Sequence, residues 1–205
     1  MTRRLSHPGV RVNRQFDADV ARPAAPFVGG FLVLDFLNTE LPWNGEYVEL
    51  LQTTDDAAVW LQSAFTKYGE EMQHARKASI SRPVLHDLRE WRTQLRVAFD
   101  NRVTQPERLQ ETLNAVLRAA HPHIDIAQGK LLLTHRASGA FNIIASTIAL
   151  SAVDLIQRDA LHRVHECTSD ECELLFFDAT KSATRRWCSI ACFDRFRARR
   201  RRAPS

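Results

Sequence analysis

The side chains best suited to chemistry are four cysteines near the C-terminal end of the chain. They are Cys167, Cys172, Cys188 and Cys192, and no cysteine precedes them. Four residues separate the first pair, three separate the second, and fifteen lie between the pairs. Two short pairs joined by a loop of this size let four thiolates converge on one tetrahedral ion. The spacing therefore predicts a structural Zn²⁺ site, with no position left open for a catalytic water.

The alternatives to a zinc site are two disulfides or four unconnected thiols. Disulfides need an oxidising compartment, and the basic N-terminus is not followed by the apolar stretch of a secretory signal. We therefore expect a cytoplasmic protein with reduced thiols. Four unconnected thiols are disfavoured because the cysteines are clustered. His162 and His165 lie close to the site but are interpreted as strand residues, since four cysteines complete the coordination.

The segment around the second cysteine pair is strongly basic. Between residues 181 and 202 there are nine cations and one anion, a net charge of +8 in a chain whose total is +4. Such asymmetry indicates a polyanionic partner. The candidate nucleic-acid-binding residues are Arg185, Arg186, Arg195, Arg197, Arg199, Arg200, Arg201 and Arg202. The alternatives are a solubilising tail or a zinc-dependent protein–protein interaction module.

Position relative to the metal separates these arginines into two groups. Arg185 and Arg186 directly precede the third cysteine, so the metal should order them and favour specific contacts. The run 199–202 is consecutive, so its side chains point in several directions and suit phosphates. Trp187 is expected to anchor a small core rather than to stack on a base.

Local patterns around the cysteines predict a small zinc domain of the treble-clef type. Residues 161–165 and 174–179 are expected to form two short strands, and Ser189 is expected to cap a helix that ends at Arg202. A piece of about 40 residues buries too little surface to fold alone, so the metal should supply the missing stability.

The rest of the chain predicts a mainly helical domain with a small β-hairpin. Helices are expected over 57–68 (capped by Asp55 and Asp56), 83–102, 106–120 and 138–157, and a hairpin over 123–127 and 130–135. The opening segment 27–39 fits either a strand or a helix. We expect a mobile basic arm over 1–26, this α-rich domain over 27–160 and the finger over 161–205. No segment is interpreted as membrane-spanning, and the body's apolar stripes predict that it folds without the finger.

Two motifs resemble a known family. The stretch 185–195, RRWCSIACFDR, resembles the signature of CGNR zinc-finger proteins, with Phe193 and Asp194 in place of the family's Gly and Asn. Residues 177–180, FDAT, look like the stretch that precedes that signature, and residues 29–39, GGFLVLDFLNT, are similar to the opening of the helical ABATE domain. The resemblance implies a bacterial, stress-related transcription regulator whose finger binds nucleic acid, with DNA favoured over RNA.

A regulator of this kind must sense a signal such as a small ligand. The opening motif contains polar groups that could bind one. Asp35 lies among apolar neighbours, so burial would require a partner. Arg89, Arg92 and Arg96 of the second predicted helix are candidates for that partner. Together with Asn38 and Thr39, these residues form either a buried ion pair, which we favour, or a small-ligand pocket. No sequence motif of a catalytic site is present, so an enzyme is not expected.

Overall fold

The structure is a computed structural model that describes residues 24–43, 46–72, 75, 78–127, 129–136, 138–169 and 172–202. Within them the chain forms six α-helices and three antiparallel two-stranded hairpins. In order they are α1 (Leu32–Leu37), β1 (Glu40–Trp43), β2 (Glu46–Glu49), α2 (Thr54–Tyr68), α3 (Arg82–Asp100), α4 (Pro106–Ala120), β3 (Pro122–Ala127), β4 (Lys130–His135), α5 (Ala140–Gln157), β5 (Val164–Glu166), β6 (Leu175–Phe177) and α6 (Ile190–Arg202). The predicted fold, mainly helical with a C-terminal four-cysteine finger, is confirmed.

Helix α2 begins at a side chain that satisfies its free amides, whereas α1, α3, α4 and α5 have no side-chain cap. Thr53, rather than the expected Asp55 or Asp56, caps α2, and its hydroxyl accepts from the Asp56 amide at 3.1 Å. The Asp56 carboxylate in turn accepts from the Thr53 amide at 2.8 Å, which completes a capping box. Our prediction missed this because an Asp at the third helical position can bond back to the residue that precedes the helix. Gly69, at φ 50°, ends α2 as expected.

Helix α5 is the central helix of the body and packs against α1, α3 and α4. Nine of its residues are buried, among them Ile144, Ile148 and Leu155. By length and composition alone this helix could also cross a membrane, which our interpretation of the sequence did not foresee. Half of that stretch lies inside the fold, as in the core helix of a helical domain.

The opening segment, which the sequence left undecided, forms a short helix. All six residues of α1 are buried, so the segment shows no amphipathic period that could have identified it. It leads into the β1–β2 hairpin, which the sequence did not reveal. The β3–β4 hairpin was predicted and is confirmed, with Ala127 opposite Lys130 and Gly129 at φ 74° in the turn.

The hydrophobic core continues from the helical body into the finger. Val164 of β5 and Leu175 of β6 belong to the same buried cluster as Leu34 and Leu95 of the body. A boundary at 160/161 therefore cuts through shared packing, and its use as a domain border stays a prediction. Of the expected basic arm, residues 1–23 lie outside the described residues, and Ala25 packs against the core.

Candidate metal centre and nucleic-acid interface

The four cysteine sulfurs form one compact buried cluster. All four Sγ atoms lie within 4.8 Å of one another, and each cysteine is buried. The Cys188 Sγ lies 3.6 Å from that of Cys172 and 3.5 Å from that of Cys192. These distances far exceed a disulfide bond of about 2.0 Å. They match the separation of about 3.8 Å between thiolates on a tetrahedral ion with metal–sulfur bonds of about 2.3 Å. The cluster offers four soft donors with the spacing that a metal ion requires.

Backbone hydrogen bonds bring the two cysteine pairs together. The first pair lies between β5 and β6, where the Cys167 amide donates to the Leu174 carbonyl at 2.9 Å. The Thr168 amide donates to the Arg186 carbonyl at 2.9 Å, which joins the first pair to the segment before Cys188. This cross-connection joins the two halves of the site through the backbone.

Helix α6 contributes the fourth cysteine of the cluster, Cys192, from its first turn. Ser189 caps this helix as predicted, because its Oγ accepts from the amide of Cys192 at 3.3 Å. Two donors also reach the sulfurs. The Cys188 amide lies 3.4 Å from the Sγ of Cys167, and Nη2 of Arg195 lies 2.9 Å from the Sγ of Cys192. Four thiolates on a divalent ion would carry a net charge of −2, and these donors would stabilise that charge.

Asp178 organises the loop between β6 and the second cysteine pair. Its Oδ1 accepts from the amide and hydroxyl of Thr180 at 2.8 and 2.6 Å, and its Oδ2 accepts from the Arg185 amide at 2.7 Å. Burial raises the pKa of Asp178, but the hydrogen bonds from Thr180 and Arg185 outweigh burial and hold this pKa below its usual range. The FDAT motif contained this aspartate, but spacing alone did not indicate its role.

The two arginines before Cys188 have opposite orientations. Arg185 is half-buried; it donates from Nε to the Trp187 carbonyl at 2.8 Å and from Nη2 to the Cys188 carbonyl. Its guanidinium also lies 4.8 Å from the centre of the Phe176 ring. Arg186 is exposed. Arg185 is therefore committed to the finger's interior, whereas Arg186 faces solvent, where phosphate can reach it.

The α6 arginine side chains that the structure describes are all exposed. Arg197, Arg200 and Arg201 are exposed. Arg195 and Arg199 are exposed as well, but Arg195 contacts the Cys192 sulfur and Arg199 makes an interaction of its own. The side chain of Arg202 lies outside the described part of the chain. Helix α6, whose first turn carries a cysteine of the sulfur cluster, thus presents a basic surface.

Three aromatic rings pack beside the metal site. The Trp187 ring centre lies 4.9 Å from that of Phe193 and 5.1 Å from that of Phe196. Together with the buried Phe176, Trp187 forms part of the finger's small core, as the sequence predicted. Both histidines near the site stay outside the sulfur cluster, and His165 packs against the Phe176 ring.

The expected pairing of Asp35 with the arginines of α3 is wrong. Asp35 is buried, and its Oδ2 pairs with Nζ of Lys67 at 2.8 Å and accepts from the Tyr68 hydroxyl. Its Oδ1 accepts from the Gly29 amide at 2.6 Å. Residues 67 and 68 end α2, and the packing of α2 beside α1 brings them to Asp35. Residues 67 and 68 lie more than thirty positions from Asp35, so the sequence did not indicate this pairing.

The three α3 arginines bind other groups. Arg92 pairs with Glu49 and donates to Thr39 Oγ1 at 2.7 Å. Arg89 donates to the Leu51 carbonyl, with its Nε at 2.7 Å. Arg96 pairs with Asp100 at 3.1 Å and reaches the finger, where its Nη2 donates to the Glu173 carbonyl at 3.1 Å.

The proposed pocket residues are thus distributed over several structural contacts. Asn38 is fully buried against β6 and Thr39 is fully buried beneath Arg92. A cleft of about 410 Å³ between the α2 start and α3 includes Arg89 among its lining residues but none of the other five candidates. The structure therefore places Asp35, Asn38 and Thr39 in internal contacts, with Lys67 rather than an α3 arginine as the cation beside Asp35.

Comparison with protein families assigns both parts of the chain. Residues 30–166 match the ABATE model, described as "Putative stress-induced transcription regulator", and residues 163–204 match the CGNR zinc finger. No curated protein matches the chain. The two models describe a regulator and a zinc finger rather than enzymes, and they meet within β5, where the body and finger share their core.

Proposed function

Because this chain belongs to the ABATE family and carries a CGNR zinc finger, we propose that it is a bacterial transcription regulator that binds duplex DNA through α6. The observation that carries the proposal is the exposed basic surface on a helix whose first turn holds a metal ligand. The protein would act in the cytoplasm, where that DNA lies.

Zn²⁺ is the metal that we propose for the site. Four thiolates with tetrahedral spacing suit zinc, and a closed site of this kind stabilises structure rather than activating water. The knuckle between β5 and β6, the hairpin and the ligand-bearing α6 fit a treble-clef arrangement. The metal would fix the start of α6 so that fewer degrees of freedom are lost when its arginines meet phosphate.

Contacts between the arginines and phosphates should make the affinity for DNA depend steeply on salt concentration. If about five phosphates are contacted, the association constant should fall as roughly the 4.5 power of salt concentration, a few-hundred-fold between about 50 and 200 mM. The contacts to phosphate would give affinity and orientation, and they would do so on any sequence.

The test is a salt titration of metal-loaded protein with duplex DNA. Replacement of Arg199, Arg200 and Arg201 with Ala should weaken binding to all sequences and flatten the salt dependence. The matched control is Arg82, Arg108 and Arg118, all three exposed on the body, replaced with Ala. This control changes the net charge equally and should leave binding near that of the wild type. Absence of binding to DNA at low salt would contradict the proposal and favour a protein partner for the finger.

A further inference from the structure

We propose that the outward face of α6 reads bases in the major groove of duplex DNA. This face, which we call the reading face, consists of Ile190, Phe193, Asp194, Arg197 and Arg201. Ile190 and Phe193 would contact thymine methyl groups, and Asp194 would accept a hydrogen bond from a cytosine amino group. The inference rests on the proposed function and deepens it by assigning Ile190, Phe193 and Asp194 as the residues that select the sequence.

Helical geometry and the metal together define this face. Positions three, four, seven and eleven residues after Ile190 return to the same side of an α-helix. Cys192 lies on the opposite side and is buried in the metal site. Metal binding at Cys192 therefore fixes which side of α6 turns outward, and all five residues of the reading face are exposed.

Two large apolar side chains lie at the start of the reading face. Ile190 is 79% exposed and Phe193 is 36% exposed. Phe193 is supported from one side by Trp187, and the Arg197 guanidinium lies 5.5 Å from its ring centre. The ring is thus held in place with part of its surface open to water. An apolar pair within a strongly basic surface fits the thymine methyl, which is the apolar group that the major groove displays.

Asp194 is the single anion among nine cations between residues 181 and 202. In the described residues it has no hydrogen bond or ion pair, and it is exposed. A carboxylate here repels phosphate, so it cannot add to general affinity for DNA. It can, however, accept from cytosine N4, which is one of the direct contacts through which side chains distinguish base pairs. Asp194 would therefore give selectivity at some loss of affinity.

The order of these groups along α6 matches a helix placed in the major groove. Ile190, Phe193 and Asp194 occupy the first turns, whereas Arg197, Arg200 and Arg201 follow towards the C-terminal end. Helices that read the major groove commonly contact base edges from their N-terminal residues. The arginines would then reach the phosphates that border the groove and set the register. The arginines thus supply charge complementarity with DNA, and the apolar and acidic side chains supply the contacts with bases.

The experiment begins with selection of binding sites by the metal-loaded wild type from a random duplex pool. The selected duplex is then prepared with uracil in place of each thymine, which removes one methyl group at a time. We expect about a fourfold loss of affinity at each contacted methyl. With Ile190→Ala or Phe193→Ala, the difference between thymine and uracil should disappear at the corresponding position.

Asp194→Asn tests the carboxylate. This variant should lose roughly tenfold of the preference for cytosine at one position, because the amide can turn its donor towards another base, and it should bind non-selected DNA more tightly. The control is Arg200→Ala, at an exposed arginine outside the reading face, which should weaken all sequences alike and leave base preferences unchanged. Metal content near one ion per chain verifies that each variant is folded at the finger.

The possible results separate this inference from the proposed function. No duplex binding by the wild type would overturn both. Binding with a steep salt dependence, but with no thymine-to-uracil effect and no change of preference in Asp194→Asn, would overturn the reading face alone. A loss of preference confined to Ile190, Phe193 and Asp194 supports it.

Discussion

The side-chain amide of Asn38 forms two hydrogen bonds with the backbone of Leu175. Its Nδ2 donates to the Leu175 carbonyl at 2.8 Å, and its Oδ1 accepts from the Leu175 amide at 2.8 Å. Asn38 is fully buried, and Leu175 begins the finger strand β6. One residue of the opening motif thus completes the backbone hydrogen bonding of the finger strand, 137 positions away.

Replacement of Asn38 with Ala should therefore destabilise the whole protein. The change leaves the amide and carbonyl of Leu175 buried without these partners, which costs about 2–4 kcal/mol for the two groups together. Urea unfolding of the metal-loaded protein measures this loss. Gln110→Ala, at an exposed position of α4, is the control and should change stability by less than about 0.5 kcal/mol. Equal stability of Asn38→Ala and the wild type would contradict the proposed role of this contact.

Metal removal should weaken the body as well as the finger. The sequence favoured a body that stays intact after chelation, but Val164 and Leu175 share its core. Without the metal the finger strands lose their anchor, so the packing of these two residues should loosen. A variant with both Trp43 and Trp187 replaced by Phe leaves Trp60 and Trp91, both buried in the body, as the fluorescence reporters. We expect chelation to lower the Tm of their transition by several degrees, and an unchanged Tm would restore the expectation of independent folding.

The purified protein should contain one metal ion per chain, bound by all four cysteines. Native mass spectrometry combined with elemental analysis measures the ion. A thiol reagent should find four reactive groups only after chelation, because thiolates bound to metal are protected. Replacement of Cys172 with Ser removes one ligand and should reduce metal retention sharply. Two disulfides and no metal, in protein prepared under reducing conditions, would contradict this prediction.

Replacement of Arg185 should impair metal retention, whereas replacement of Arg186 should impair DNA binding. Arg185→Ala removes the donors to the Trp187 and Cys188 carbonyls, so it should speed the loss of metal to a chelator. Arg186→Ala removes an exposed cation, so it should weaken DNA binding severalfold at low salt and leave metal retention unchanged. A chelator competition assay and a binding titration on both variants distinguish the roles. Similar results for the two variants in both assays would contradict these separate roles.

Tyr68 should make the folded state sensitive to alkaline pH. Burial raises the pKa of the Tyr68 phenol, and the nearby carboxylate of Asp35 raises it further. The folded state therefore keeps this proton at a pH where the unfolded chain loses it. Stability from this group is complete below about pH 10 and falls above it by about 1.4 kcal/mol per pH unit.

Tyr68→Phe provides the test of that pH dependence. The variant should be less stable than the wild type at neutral pH, since Asp35 loses a hydrogen bond worth about 1–3 kcal/mol. Above pH 10 its stability should fall less steeply, because one titrating group is gone. Urea unfolding at several values between about pH 8 and 11 compares the slopes. Parallel curves would show that another group governs the alkaline loss.

The sequence predicted the features that depend on local spacing. The α4 bounds, the β3–β4 turn at Gly129 and the Ser189 cap follow from side chains within a few residues of the backbone that they act on. The β1–β2 hairpin and helix α1 were not identified. A helix buried on every side carries no amphipathic period, and β1 and β2 are only four residues each.

The sequence by itself determined the metal site, because the spacing of Cys167, Cys172, Cys188 and Cys192 restricts four soft ligands to one small volume. It also determined the basic character of the chain's end. Only the tertiary structure decided that Asp35 pairs with Lys67 and that Arg185 turns into the finger. These pairings depend on how α1, α2 and the finger pack. Many cations could satisfy a buried carboxylate, and the packing of the helices decides which one reaches it.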